Sequence, residues 1–348
     1  MWVKRVIDDQ DLAPYIAQFG DQGLSSRAMA LYEQQKQEWP EFRRGHDAMV
    51  RAETRRVDLE SSWVICQYTP HRRASVSARV DPLSVMKRSC FLCPENLYPE
   101  ERGLEYEEDY FILCNVSPIF DFHLVITHRD HVPQHLGGHF DSILRLAIEL
   151  SPRFVVIYNG PRCGASAPDH LHFQALPRRN LPLATQVWGD SVCAAAGSVI
   201  KRDKILIAAP TGFSRRFLIF ESKNPAVLSF WFYRTLAVLA EVENSADEPM
   251  INFVMAYRDG RWELILFPRA SHRPRCYHGR GDGRLLISPG AIDMAGVFVI
   301  PRKRDYHKVD AAILHGIYQE VTLPEDRFSF VTEKLAEMKP RSSVVKEV

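Results

Sequence analysis

Residues 169–176 read DHLHFQAL, with His170, His172 and Gln174 at every second position and Leu171, Phe173 and Ala175 between them. Successive side chains of an extended chain point to opposite faces, so the pattern predicts a strand with one apolar face and one polar face. The two imidazoles and the amide would share the polar face, each about 7 Å from the next. Lysine, threonine or glutamate would solvate a half-buried strand equally well. The choice of imidazole and amide asks for a chemical reason.

Working outward, the same order of elements occurs twice. Strand-like DYFILCN (109–115) and HLVIT (123–127) precede a helix in DSILRLAIEL (141–150), with Asp141 as its expected N-cap, and then strands RFVVIY (153–158) and HLHFQAL (170–176). KILIAA (204–209) and RFLIFES (216–222) precede a helix from PAVLSFWFY (225–233), with Pro225 in its first turn, and then INFVMAY (251–257) and WELILF (262–267). Both series read β-β-α-β-β. The expected fold class is α+β, two such halves with antiparallel sheets behind a helical N-terminal extension. The expected boundaries are 1–60 for the extension, 61–195 for the half that carries the histidine strand, and 196–348 for a second half with C-terminal helices. The segment SSRAMALYEQQKQEW places Ala28, Leu31, Tyr32 and Gln35 at helical spacing before Pro40, and reads as a surface layer or interaction arm.

The halves differ in one connection. The last two strands of the second are joined by RDGR, a short Asp-Gly hairpin turn. The corresponding link in the first is NGPRCGASAPD, residues 159–169, rich in small residues and leading into the histidine strand. Long ordered loops beside strands tend to carry function, and this one reads as a backbone cradle over the histidine face.

Composition narrows the classes. Net charge is +1 and 46% of the 348 residues are hydrophobic, which gives no general argument for nucleic-acid or membrane binding. The longest apolar runs are of strand length, and MWVKRVIDDQD lacks the apolar core of a secretory signal. Seven cysteines are odd and sparse for this length, which favours a reduced, cytoplasmic protein over a disulfide framework. Two of them, Cys90 and Cys93 in CFLC, have the spacing that lets both sulfurs reach one metal. Histidines 123, 128, 131, 135, 139 and 170 are available as further ligands, and spacing alone does not choose among them.

CFLC (90–93), NVSPIF (115–120), HLVITHRDH (123–131) and GASAPDHLHFQ (164–174), in this order, resemble the histidine-triad superfamily. The resemblance covers about residues 60 to 310. It is closest to the galactose-1-phosphate uridylyltransferase branch, which includes diadenosine tetraphosphate phosphorylases and GDP-hexose phosphorylases, and especially to an uncharacterised bacterial group within it. It implies that His172 is a nucleophile toward a nucleotide's α-phosphorus and that Gln174 hydrogen-bonds the transferring phosphoryl group. It implies a structural Zn2+ held by Cys90, Cys93, His131 and His170. Asn115 would contact the ribose, with Pro118, Ile119 and Phe120 near the base. Asn159, Gly164 and Ser166 would form the phosphate loop, and Arg79, in the arginine-bearing strand before the cysteines, would approach the site.

The chemistry suits those roles. Imidazole is largely unprotonated near neutrality and nucleophilic, and a phosphoramidate intermediate divides one displacement into two. Glycine and small residues let backbone N–H groups approach phosphates. One departure from the uridylyltransferase stands out: Val297 and Phe298 align with its hexose-binding Tyr-Glu pair, and neither can hydrogen-bond a sugar. FPRASHRPRC (267–276) adds Arg269, His272, Arg273 and Arg275, a basic group for distal phosphates or an incoming anion. The expected function is nucleotidyl transfer from an NDP-sugar or dinucleoside polyphosphate through nucleotidyl-His172, with phosphate favoured as acceptor over a sugar 1-phosphate. A hydrolase and a non-catalytic nucleotide-binding protein are the alternatives, and the chain is expected to work as a monomer or homodimer.

Overall fold

The computed structural model describes residues 2–20, 23–188, 196–202 and 204–338. Its strands are β1 (Glu53–Leu59), β2 (Ser62–Tyr68), β3 (Gly103–Tyr106), β4 (Tyr110–Cys114), β5 (Leu124–His128), β6 (Phe154–Asn159), β7 (His172–Pro177), β8 (Ala196–Arg202), β9 (Ile205–Pro210), β10 (Leu218–Ser222), β11 (Ile251–Arg258), β12 (Arg261–Pro268) and β13 (Val297–Ile300). Ten of them form one sheet in the order β3-β4-β5-β7-β6-β11-β12-β10-β9-β8. Every neighbouring pair in it is antiparallel. The two expected halves meet at β6 and β11, where Ile157 faces Val254. The β-β-α-β-β order holds in both.

Each half lays its helix on the same side of the sheet. Helices Phe140–Glu149 and Pro225–Glu243 bury Ile143, Leu146, Leu228 and Phe232 against Phe173, Ala175 and Phe253, and Phe140 stacks on Phe232 at 3.9 Å. Phe173 is fully buried, which contributes roughly 1.5–3 kcal/mol. The Pro225 helix starts where Asn224 accepts from the Val227 amide and ends on left-handed Asn244. By length and composition it is apolar enough to cross a membrane. Here it packs on the sheet. Asp141 is not the N-cap of the earlier helix: His139 holds that position, and Asp141 lies in the first turn, where the helix dipole favours a carboxylate.

The opposite face of the sheet is filled differently in the two halves. Over the second, Ile219, Val254 and Ile265 pack against C-terminal residues including Phe298 and Tyr318. A three-stranded sheet, β1-β2-β13, closes this side, with β13 parallel to β2. Over the first half, Val155, Ile157 and Leu176 join the same packing, while Leu113, Val125, His172 and Gln174 line a cleft.

Two boundary expectations change. The extension is helical only to Val50, because 53–59 is strand β1, paired with β2. It is also not a surface layer. Ala28, Leu31, Tyr32, Trp39 and Phe42 are 0% exposed and belong to the main core.

Candidate active site and metal centre

Strand β7 begins at His172, so the alternation read from the sequence does not extend back to His170, which sits in the turn before the ladder. His170 is fully buried, and its Nε2–H donates to the His128 carbonyl at 2.8 Å. That contact fixes the tautomer and leaves Nδ1 for the two thiols. Nδ1 lies 3.3 Å from Cys90 Sγ and 3.5 Å from Cys93 Sγ, and His131 Nδ1 is 3.2 Å from Cys93 Sγ. All four ligand atoms lie within 4.8 Å of one another. Tetrahedral zinc bonds of about 2.3 Å to sulfur and 2.0 Å to nitrogen require edges of roughly 3.3–3.8 Å. The Cys90, Cys93, His131 and His170 cluster fits a metal ion, and His131 is the fourth member among the histidines the sequence left open.

His172 occupies the next rung. Its Nδ1–H donates to the His170 carbonyl at 2.8 Å, and its ring lines a cleft of about 660 Å³. The bare Nε2 is the nitrogen left to react. Burial pushes the imidazole down to about 4, so it is neutral and nucleophilic at neutral pH. Gln174 lies beside it in the cleft, and its Oε1 accepts from His123 Nε2 at 2.7 Å. His123 is fully buried and takes the Ile119 amide on Nδ1, which sets its own tautomer. The consequence is directional: the Gln174 carbonyl is held inward and its NH2 group is turned toward the cleft.

Sequence reading did not find His123 as the orienting group, treating it only as a possible metal ligand. It also missed Gln134. The β6–β7 ladder ends at Ile157–Gln174, just before Asn159 and His172 would pair. Gln134 fills that gap. Its Nε2 donates to Asn159 O at 2.8 Å and His172 O at 3.0 Å, and its Oε1 accepts from His172 N at 2.8 Å. No pattern around VPQHL marks this residue, because its partners are backbone groups far along the chain.

The expected nucleotide and phosphate contacts divide. Gly164 (φ +106°) and Ser166 do reach the cleft, and a Cβ on Gly164 would lie 2.8 Å from both Asn159 Oδ1 and Gly290 Cα. Asn159 reaches it as well, but its Oδ1 is taken by the Ala291 amide at 2.7 Å and Asn252 Nδ2 at 3.0 Å, so its oxygen joins the two halves. Asn115 lines the larger compartment while its Oδ1 caps the turn at Ser117 N, 3.1 Å away. Arg79 lines the same compartment.

The basic group after β12 is mostly not a phosphate clamp. Arg269 is 1% exposed and spends its donors on Asn252 Oδ1 and on the carbonyls of Val321, Pro289, Ser271 and His272. Arg275 is at the surface beside Glu320. His272 and Arg273 do face a smaller polar compartment, about 70 Å³, beside Gln174 and Ser166. Burial, then the Arg273 and Arg269 charges, push His272 down to about 3. Val297 and Phe298 are buried in the core, Phe298 against Tyr318 at 5.0 Å, and it is Val299 that reaches the smaller compartment.

Arg72 is the arginine that lines both compartments. It donates to Ser117 O at 2.7 Å and Ser75 Oγ at 3.0 Å, while its buried Nε has no partner among the described residues. Burial lowers it to about 10, still protonated at neutral pH. A second cavity, about 510 Å³, opens at the far end of β7 near Pro177 and Trp188, away from these groups.

A ten-stranded antiparallel sheet in two β-β-α-β-β halves, with a histidine cleft on one of them, is a histidine-triad-like architecture. Residues 31–177 match the model of a domain of unknown function (DUF4922), and residues 193–340 match that of the GDPGP1-like, C-terminal domain. The chain shares the fold of yeast Ap4A phosphorylase Apa2, at 13% identity over 82% of this chain and 98% of that one, TM-score 0.57. The same enzyme in complex with Ap4A aligns at 14% identity over 82% and 97%, TM-score 0.54. No curated protein matches the chain at the sequence level. These similarities support the uridylyltransferase and phosphorylase branch that the motifs resemble.

Proposed function

We propose that the protein is a nucleotidyltransferase working through a covalent nucleotidyl-His172 intermediate, with inorganic phosphate as the favoured acceptor. The observation that carries this is the His172 ring: Nδ1–H is committed to a carbonyl, and the neutral ring offers a bare Nε2 beside an inward-locked Gln174 amide. In the first step the Nε2 lone pair forms a bond to the α-phosphorus. The bond from that phosphorus to the bridging oxygen breaks, and the distal phosphate or sugar phosphate leaves. In the second step a phosphate oxygen attacks the same phosphorus, the P–N bond breaks, and a nucleoside diphosphate departs with His172 neutral again. Gln174 N–H and the Arg72 guanidinium stabilise charge that grows on the phosphoryl oxygens. Zinc at the Cys90, Cys93, His131 and His170 cluster would be structural, since four protein ligands close its shell.

Inorganic phosphate is favoured because the smaller compartment is polar, carries Arg273, and has about a tenth of the volume of its neighbour. A single oxyanion suits it better than a hexose phosphate. The experiment is turnover of NDP-sugars and dinucleoside polyphosphates with phosphate, with galactose 1-phosphate, or with neither, and products read by mass. An acid-labile adduct of one nucleoside monophosphate per chain is expected when acceptor is withheld. An adduct that persists in His172→Ala sinks the mechanism. Rapid turnover without acceptor would make the protein a hydrolase.

A further inference from the structure

We infer that Asp293 selects the acceptor anion, admitting a phosphate that still carries a proton and turning sulfate away. This inference rests on the nucleotidyl-transfer reading and deepens its account of the acceptor. The polar lining of the smaller compartment beside Gln174 is mostly donors. The Arg72 and Arg273 guanidinium groups, the Gln174 amide and the Ser166 and Ser288 hydroxyls all line it. Arg273 is held in place, with Nε donating to Ser288 Oγ at 3.0 Å and Nη2 to the Ala78 carbonyl at 2.7 Å. Asp293 is the one carboxylate among the described residues that line this compartment.

Packing between the halves sets its position. Asp293 lies in the short helix Ala291–Met294, just before β13. The turn that opens this helix meets the loop that carries Ser166. A Cβ on Gly290 would lie 2.9 Å from Asn159 Oδ1, as close an approach as the one at Gly164. Asp293 is buried, and its Oδ2 accepts from the Gly290 amide and its Oδ1 from the Val299 amide, each at 3.0 Å. A carboxylate has about four lone-pair sites, so these amides orient the group without using all of them. Burial raises it to about 6, against the Gly290, Val299 and Asp293 amides and the Arg269 charge, so it is ionised at neutral pH.

An anion meeting this wall is sorted by its protons. Inorganic phosphate keeps at least one P–OH group at neutral pH. Its bare oxygens can take the Arg72, Arg273 and Gln174 donors while that hydroxyl donates to Asp293. Arsenate has the same protons. Sulfate has a similar shape but is fully ionised at neutral pH, and it would set an oxygen lone pair against the carboxylate. A site built to hydrogen-bond a hydroxyl rejects an analogue that lacks it by large factors. The selection carries a pH signature. Below about pH 6 Asp293 takes up a proton, becomes a donor and stops excluding sulfate. The ionisable groups around it do not titrate in that range. Burial lowers Arg72 only to about 10 and raises Cys66 to about 11 and Tyr318 further, Arg269 and Arg273 stay cations, and His272 is neutral down to about 3.

The test is equilibrium binding of phosphate, arsenate and sulfate to the full-length protein, by calorimetry, without nucleotide or turnover, at about pH 8 and about pH 5. At the higher pH phosphate and arsenate should bind alike, and sulfate at least about 100-fold more weakly. Sulfate does not itself titrate between these conditions, so its affinity should rise by about tenfold or more at the lower pH. Asp293→Asn, whose amide can donate, should bind sulfate within about threefold of phosphate at both. Should that variant fail to fold, the pH series on the unmodified protein decides by itself. Sulfate binding as tightly as phosphate at the higher pH, or neither anion binding, overturns the assignment while leaving nucleotidyl transfer standing. Selection of phosphate over sulfate without any His172 adduct keeps the assignment and removes the transfer mechanism.

Discussion

Replacing Gln134 with leucine tests whether a side-chain amide substitutes for the missing rung between β6 and β7. The change keeps volume and removes three hydrogen bonds, to Asn159 O, His172 O and His172 N. All three sit where Gln134 is 1% exposed, so water does not readily replace the lost partners. At ~1 kcal/mol net for each bond the loss is about 3 kcal/mol, and more where a buried group is left unpaired. At about 2.1 cal/mol/K of unfolding entropy per residue, that lowers the melting temperature of a 348-residue chain by ~4 °C. The catalytic effect is separate, since a shift of the nucleophile by ~1 Å costs about 100-fold. Scanning calorimetry reads the first effect, and rapid-quench mass spectrometry of the His172 adduct reads the second. A variant with unchanged melting and an unchanged adduct rate would refute the clamp.

His123→Phe should release Gln174 and slow adduct formation by roughly tenfold or more, without loss of bound metal, which metal analysis and single-turnover kinetics would show together. Burial and the Arg72 charge hold His123 down to about 3. Its neutral-state stability is therefore complete above about pH 6.5 and lost as acid takes the pH toward 3, so the variant's melting temperature should fall less steeply between pH 6 and 4. Cys90→Ser should lower zinc content and melting temperature together, because metal binding is coupled to folding; stoichiometric zinc retained in the variant contradicts the ligand set. Arg72→Met should cut transfer by about 100-fold or more, with partial recovery in Arg72→Lys, since a guanidinium facing both compartments stabilises developing phosphoryl charge. An unchanged rate would return Arg72 to a purely structural role.

Much of this was legible because it is local. Alternation in HFQAL gave β7, the CFLC spacing gave two members of the cluster that fits a metal ion, and the repeated element order gave the two β-β-α-β-β halves, though not their union into one sheet at Ile157 and Val254. What was not legible depends on contacts across the chain. Arg269 looked like a loop cation, yet it is a buried brace, because β12 carries it under the segment that ends at Val321. The Gln134 clamp and the His123 latch join residues 38 and 51 positions apart, and neither partner is marked by spacing. The N-terminal helices read as a surface layer because their mean composition is polar, although Leu31, Tyr32, Trp39 and Phe42 lie on one buried side.

The near symmetry of the sheet also shows how the two halves differ at the positions of His172 and Gln174. Ile157 pairs with Gln174 and Val254 with Ile265, while Ile157 and Val254 pair with each other. An approximate two-fold through that pair sets Ile265 opposite Gln174, and stepping two residues along each strand sets Glu263 opposite His172. The residue before β10, Phe217, then matches His123, which precedes β5. Every chemical feature is changed in the second copy. Glu263 is 1% exposed and paired with Arg258 at 2.8 Å and Arg178 at 3.5 Å, so its charge is already neutralised by protein. A carboxylate there would repel a phosphate, and Ile265 offers it no donor. The long loop that carries Gly164 and Ser166 is reduced to the Asp259–Gly260 hairpin turn, with both residues at positive φ. The freed face is filled by residues near Phe298 and Tyr318, and that packing carries His272 and Arg273 to the edge of the first half's cleft. With no imidazole or amide at the matching positions, this half instead supplies a wall of the smaller compartment through His272 and Arg273.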